Sequence, residues 1–132
     1  VRRAVRGLCW PVIGQISSSF GWRRDPFGGG RDYHTGVDIR APRGRTIVAA
    51  AAGQVVYSGW MSGYGKTVVV NHPGGVTTLY AHCSSANARS GQQVRRGQPI
   101  ASVGSTGRST GNHLHFEIRR NGSPINPLKL MR

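Results

Sequence analysis

His113-Leu114-His115-Phe116-Glu117-Ile118 is the stretch whose reading decides the fold. On a β-strand successive side chains alternate between faces, so His113, His115 and Glu117 project one way and Leu114, Phe116 and Ile118 the other. The apolar half asks for a core. The polar half sets two imidazoles and a carboxylate on one surface. Histidines at i and i+2 can reach a common metal or substrate, but a pair of surface histidines would give the same letters, so the motif needs support from elsewhere.

Outward from it the chain has the same character. Thr46–Ala51, Gln54–Ser58, Thr67–Asn71, Val76–His82 and Pro99–Val103 are short, rich in Val, Ile, Tyr or Thr, and bounded by Gly, Pro or Asn. They read as strands, with a hairpin turn at His72-Pro73-Gly74-Gly75. Val12 to Phe20 reads as a first extended segment. Two glycine-rich loops follow from composition, 25–30 and 104–111. No amphipathic helix, repeat or low-complexity tract is found. With 132 residues, 20 glycines and 7 prolines, the expectation is one mostly β domain, a small antiparallel sandwich or barrel-like sheet. Residues 1–9 read as a basic arm and 10–132 as the domain.

Eighteen basic residues face four acidic ones, a net +14, which favours polyanionic partners without choosing among them. Nucleic acid is not the expected partner, because neither an aromatic stacking platform nor a reading helix is found. No apolar run approaches the length of a membrane span, and no signal-type segment follows the basic N-terminus; any leader of an exported protein is expected to have been removed.

Only Asp25, Asp32, Asp38 and Glu117 can supply a carboxylate. Asp38 sits in His34-Thr35-Gly36-Val37-Asp38. A straight strand would hold His34 and Asp38 roughly 13 Å apart, too far for one metal ion with bonds of about 2 Å. Gly36, the β-branched residues and Pro42 argue against a helix. A bend at Thr35-Gly36 that folds His34 back toward Asp38 is the consistent geometry. Val37 and Ile39 then face the core, and an Asp between them needs a cation or a polar partner. In Thr78-Leu79-Tyr80-Ala81-His82-Cys83, Leu79, Ala81 and Cys83 are expected on the apolar face, leaving Tyr80 and His82 opposite. His72, in its Pro-Gly-Gly turn, is expected to be exposed and without a role.

His34-x-x-x-Asp38, Tyr80-Ala81-His82 and Thr110-Gly111-Asn112-His113-Leu114-His115-Phe116-Glu117 stand in the order and spacing of the lysostaphin-like peptidases. From about Trp10 to Pro127 the chain resembles the LytM or peptidase M23 family, also in Phe20-Gly21-Trp22-Arg23 and Gly97-Gln98-Pro99-Ile100. The resemblance implies one Zn2+ held by His34, Asp38 and His115, with His82 and His113 as catalytic histidines, in a groove walled by loops. Three protein ligands leave a fourth position open, the pattern of a catalytic zinc. Which histidine acts as general base is not readable from spacing. Glu117 is a rival base, read in preference as orienting a ligand histidine or pairing with an Arg. Tyr33, Tyr80 and loops 59–65, 84–92 and 104–112 are the expected cleft walls.

The implied function is a zinc metalloendopeptidase acting on peptidoglycan stem-peptide cross-links, D-alanyl bonds in preference to oligoglycine bridges, in an extracytoplasmic setting; anionic wall polymers are further expected partners. The alternative is a zinc-binding but non-catalytic regulator of another cell-wall hydrolase. Cys9 and Cys83 are either one disulfide or two buried thiols, and that setting favours the disulfide.

Overall fold

A computed structural model describes residues 7–131. The Val- and Thr-rich runs form the body of the sheet. β6 (Gly53–Met61), β7 (Gly65–His72) and β8 (Val76–Ala86) make an antiparallel meander, and β11 (His113–Arg120) adds to the far side of β8. β4 (Val37–Arg40) pairs with β11, and β1 (Gln15–Ser18) with β4. β9 (Gln93–Val94) flanks β6; β10 (Pro99–Val103) joins β8 to β5 (Thr46–Val48), and β12 (Ser123–Ile125) joins β11. All ten strands belong to one antiparallel sheet, while β2 (Gly21–Arg24) and β3 (Arg31–His34) pair as a separate hairpin. Pro127–Lys129 is a single 3-10 turn whose Leu128 amide donates to the side chain of Asn126. Among the described residues there is no α-helix, and no helix is long and apolar enough to cross a membrane.

The alternation in β11 holds: Leu114, Phe116 and Ile118 are fully buried, with Ile39, Ile47, Ile100 and Tyr80. Full burial of such a side chain is worth about 1.5–3 kcal/mol relative to exposure, so these residues fix the register that places His113 and His115 on the other face.

Four expectations need correction. In β8 the face assignment is inverted over Leu79–Ala81, while His82 and Cys83 take the faces expected of them. Phe116 pairs with Tyr80 and His115 with Ala81, and directly opposed residues share a face. Tyr80 therefore points into the core, its ring 5.5 Å from that of Phe116, and is not a cleft wall. Its hydroxyl meets the Thr78 hydroxyl at 2.7 Å and accepts from the Ala50 amide, which is how the core tolerates it. Burial pushes its pKa up to about 12.

His72 is also buried. One ring nitrogen lies 2.7 Å from the Ala52 carbonyl oxygen and the other 2.8 Å from the Thr78 hydroxyl, a polar chain that runs on to Tyr80. The turn residues Gly74 and Gly75 bend the hairpin through positive φ and leave His72 on the strand rather than in the turn.

Cys9 and Cys83 are free thiols. Cys83 is buried in the core, and burial pushes its pKa up to about 12. Lastly, residues 1–6 of the expected arm lie outside the described residues, but Leu8 is buried in the core and the Cys9 amide donates to the Ala50 carbonyl, so the packed domain begins before Trp10.

Candidate metal centre

Three neighbouring strands carry the site. Across β4, β11 and β8 the register opposes Asp38 to His115 and His115 to Ala81, while His113 is opposed to Arg40. His34 arrives from the end of β3, and Thr35-Gly36 turns the chain into β4. Any Cβ at Gly36 would run into the carbonyl oxygen of Phe116, so the bend against β11 requires glycine. The consequence is the fold-back inferred from the sequence, with His34 Nε2 3.2 Å from Asp38 Oδ1.

His115 Nδ1 completes a triangle, 3.0 Å from Asp38 Oδ1 and 3.1 Å from His34 Nε2. Ligands about 2.0–2.1 Å from a tetrahedral centre stand roughly 3.3 Å apart, so the edges fit one metal ion. The protonation pattern makes the same case. His34 Nδ1 lies 2.9 Å from the Ser19 carbonyl oxygen and His115 Nε2 lies 2.8 Å from Glu117 Oε2. Both partners are pure acceptors, so those nitrogens carry the protons. Two lone pairs and a carboxylate oxygen are left converging on one point. Without a cation a proton must fill the gap: burial lowers the His115 pKa, but the carboxylates of Asp38 and Glu117 outweigh it and the net shift is upward. Burial likewise opposes ionisation of Asp38, yet bonds from His115 and His34 hold its carboxyl well below the usual range. The donor set thus fits a divalent metal of the zinc type.

Asp38 Oδ2 is engaged by Arg23, whose guanidinium also reaches Asp32 and Ser18. That leaves Oδ1 as the oxygen facing the histidines. Glu117, fully buried, accepts from His115, Thr35 and Tyr64 at 2.7–2.8 Å and from Arg119 at 2.6 Å. Burial raises its pKa, the His115, Thr35 and Tyr64 contacts lower it by more, and it ends at about 2. The Tyr64 ring stacks on His115.

His82 comes to the site by breaking a rule. After Ala81 the strand alternation would send it to the core with Tyr80, but its φ is +62°, a region that bulky residues rarely adopt. The left-handed step restores its side chain to the site face and returns Cys83 to the core. Its amide donates to the Tyr64 carbonyl, and its Nδ1 lies 2.7 Å from the Thr106 carbonyl, which leaves Nε2 as the free base nitrogen. The His113 ring, 5.0 Å away, is held alike: Nδ1 is 3.0 Å from the Gly111 carbonyl and Nε2 stands 3.5 Å from Asp38 Oδ1. Burial lowers both pKa values, that of His82 to about 4.

An open groove of about 1090 Å³ runs over these residues. Tyr33, roughly half exposed, lines it, as do Tyr64 and 108–112. The 84–92 loop expected as a wall does not; the 23–27 segment takes that place. Sequence reasoning also missed Arg23, Tyr64, Thr35 and Arg119. Arg23 and Tyr64 lay inside stretches already singled out, but no spacing rule ties them to the histidines, which they reach only through the β2–β3 hairpin and the β6–β7 turn.

The comparisons with known proteins agree with this architecture. Over 119 residues the chain is 47% identical to the DD-carboxypeptidase/endopeptidase Mpg of Neisseria meningitidis, covering 90% of this chain and 27% of that protein. It is 39% identical over 123 residues to the murein hydrolase activator NlpD of Escherichia coli, 92% of this chain and 30% of that one. The chain thus spans less than a third of these curated relatives. Among solved structures, a zinc-containing peptidase from Vibrio cholerae superposes with a TM-score of 0.84 at 34% identity, over 92% of this chain and 39% of that chain. Residues 32–127, a span that holds His34, Asp38, His82, His113, His115 and Glu117, match the model of peptidase family M23, and the chain belongs to that family.

Proposed function

We propose that this domain is a zinc metalloendopeptidase that hydrolyses an amide bond in peptidoglycan peptide cross-links, a D-alanyl bond in preference to an oligoglycine bridge, outside the cytoplasm. The observation that carries it is the pair of free Nε2 atoms, on His82 and His113, beside the converging donors of His34, Asp38 and His115. A purely structural zinc is normally closed by four protein ligands; here three donors converge and two base-competent rings stand beside them.

His34, Asp38 and His115 would hold the zinc, which when bound supplies a Lewis acid and acidifies water at neutral pH. The residues around it do the rest. Glu117, fixed by Tyr64, Thr35 and Arg119, holds the proton on His115 Nε2 and so keeps Nδ1 available as a ligand. His82 and His113, neutral at working pH, can each accept a proton at Nε2 and return it to the leaving amine, while a protonated ring can stabilise the developing oxyanion. The groove accepts an extended peptide; the relative named a murein hydrolase activator supports a peptidoglycan substrate, and the one named a DD-carboxypeptidase/endopeptidase supports amide hydrolysis.

A second reading is favoured by one finding, the likeness to NlpD, whose name is that of an activator: a zinc-binding domain that regulates another wall hydrolase. The presence of His82 and His113 weighs for catalysis. Digestion of purified peptidoglycan of several cross-link types by zinc-loaded protein, with His113→Ala and chelated samples in parallel and products read by mass spectrometry, decides. Cross-link-cleaved peptides from the wild type alone are expected; no cleavage of any wall despite one bound zinc would leave the regulator.

A further inference from the structure

The groove contains a cation that the metal centre does not use. Asp38 and Arg40 are two positions apart on β4 and so share a face, and the register sets Arg40 directly opposite His113 on β11 and opposite Gln15 on β1. Arg40 therefore stands on the groove floor beside one of the histidines with a free Nε2. It is exposed and lines the groove. Among the described residues no carboxylate lies within ion-pair distance of it: Asp38 and Asp32 are taken by Arg23, and Glu117 by Arg119. Asp25, the remaining acid, receives the Phe27 amide in the 25–30 loop. The cationic side is extended by Arg24 and by Arg108, which stacks over Phe27 across the groove, 4.1 Å from its ring centre. A guanidinium without a partner on the floor of a peptide groove presents a planar fork of donors matched to a carboxylate.

We propose that Arg40 is a specificity determinant that binds a free carboxylate of the substrate, so that the groove selects anionic peptides over neutral ones. The inference rests on the peptidase reading above. Two strand positions from Asp38 amount to about 7 Å, the span of about two extended peptide residues, so the carboxylate recognised lies within about two residues of the bond cut. A D-alanyl amide whose amine half bears a free carboxylate next to the nitrogen meets that requirement; an oligoglycine bridge does not.

The test uses two synthetic cross-linked stem peptides that differ only in whether that carboxylate is free or amidated. Zinc-loaded wild type, Arg40→Gln, Arg40→Glu and the remote control Arg96→Gln are compared in cleavage and in direct binding by calorimetry. Unchanged zinc content and thermal stability show that the variants are folded. The wild type and Arg96→Gln are expected to favour the free carboxylate about tenfold or more, mainly in KM and in binding, the scale of a charge-assisted hydrogen bond. Arg40→Gln is expected to treat the two peptides alike, and Arg40→Glu to reverse the order. Equal affinity of the wild type for both peptides, or an undiminished preference in Arg40→Gln, overturns the proposal. Cleavage of neither peptide would sink the peptidase reading alone, because the binding comparison still decides the role of Arg40.

Discussion

His115 and Glu117, two residues apart on one strand face, are joined by a 2.8 Å hydrogen bond from Nε2 to a carboxylate that has no exposure to solvent. Placing the proton there is what turns Nδ1 toward Asp38 and His34 as a lone pair. The candidate metal site is therefore set by a residue outside its triangle of donors.

Replacing Glu117 by Gln keeps the shape and an acceptor oxygen but removes the charge and turns an NH2 donor either to Arg119, at the Oε1 position, or to His115, Thr35 and Tyr64, at the Oε2 position. Zinc affinity is expected to fall by about 10–100-fold, read by competition against a chromogenic chelator. An unchanged affinity would mean that the carboxylate serves only the Arg119 pair.

Gly36 is required by steric contact, since a Cβ there meets the Phe116 carbonyl and the Glu117 side chain. Gly36→Ala is expected to cost about 1–3 kcal/mol of stability, the range for overpacking a tight site, measured by urea unfolding. Because the same bend brings His34 to Asp38, zinc binding should weaken with it. A variant as stable as wild type, with full affinity, would show that the β3–β4 corner yields easily.

The residues at the centre of this site were legible in the sequence where one local rule governs them. Strand alternation places His113, His115 and Glu117 on one face, and the impossibility of bridging a straight His34-to-Asp38 span implies the bend. Alternation failed in β8, where a single left-handed residue swaps the faces: reading His82 as a site residue by period 2 carried Tyr80 with it, although Tyr80 belongs to the core. The same approach missed β2, β3, β9 and β12, short strands whose polar or mixed composition gives no period and whose pairing is fixed by partners distant in sequence. Arg23, on β2, was missed for that reason; Tyr64 lies in the β6–β7 turn, inside the 59–65 loop expected as a cleft wall, and only the folded chain brings it to Glu117.

His82 offers a direct measure of the strain kept at the site. A left-handed conformation costs a non-glycine residue roughly 1–2 kcal/mol, and both His82→Gly and His82→Ala remove the same bonds to Thr106. The glycine variant is therefore expected to be more stable than the alanine variant by about 1 kcal/mol, with both losing hydrolysis if the proposed role holds. Thermal unfolding of the two variants checks it, and an alanine variant of equal or greater stability would show that φ relaxes without cost.

His72 predicts an acid limit to stability that is separate from the metal. Burial lowers its pKa below 6.5, the hydrogen bond from its ring to the Ala52 carbonyl opposing this only in part. At pH above 6.5 the ring is neutral in both folded and unfolded chains and its contribution is complete. As pH falls below 6.5 the unfolded chain takes up the proton first, so stability declines, by at most about 1.4 kcal/mol per pH unit, until the folded pKa is reached. Urea unfolding of metal-free wild type and His72→Gln from pH 8 to pH 5 isolates the effect. The difference between the two should be constant above pH 7 and shrink below 6.5, because glutamine cannot titrate. A difference that stays constant over the whole range would place the folded pKa of His72 at its unfolded value and remove burial as the cause.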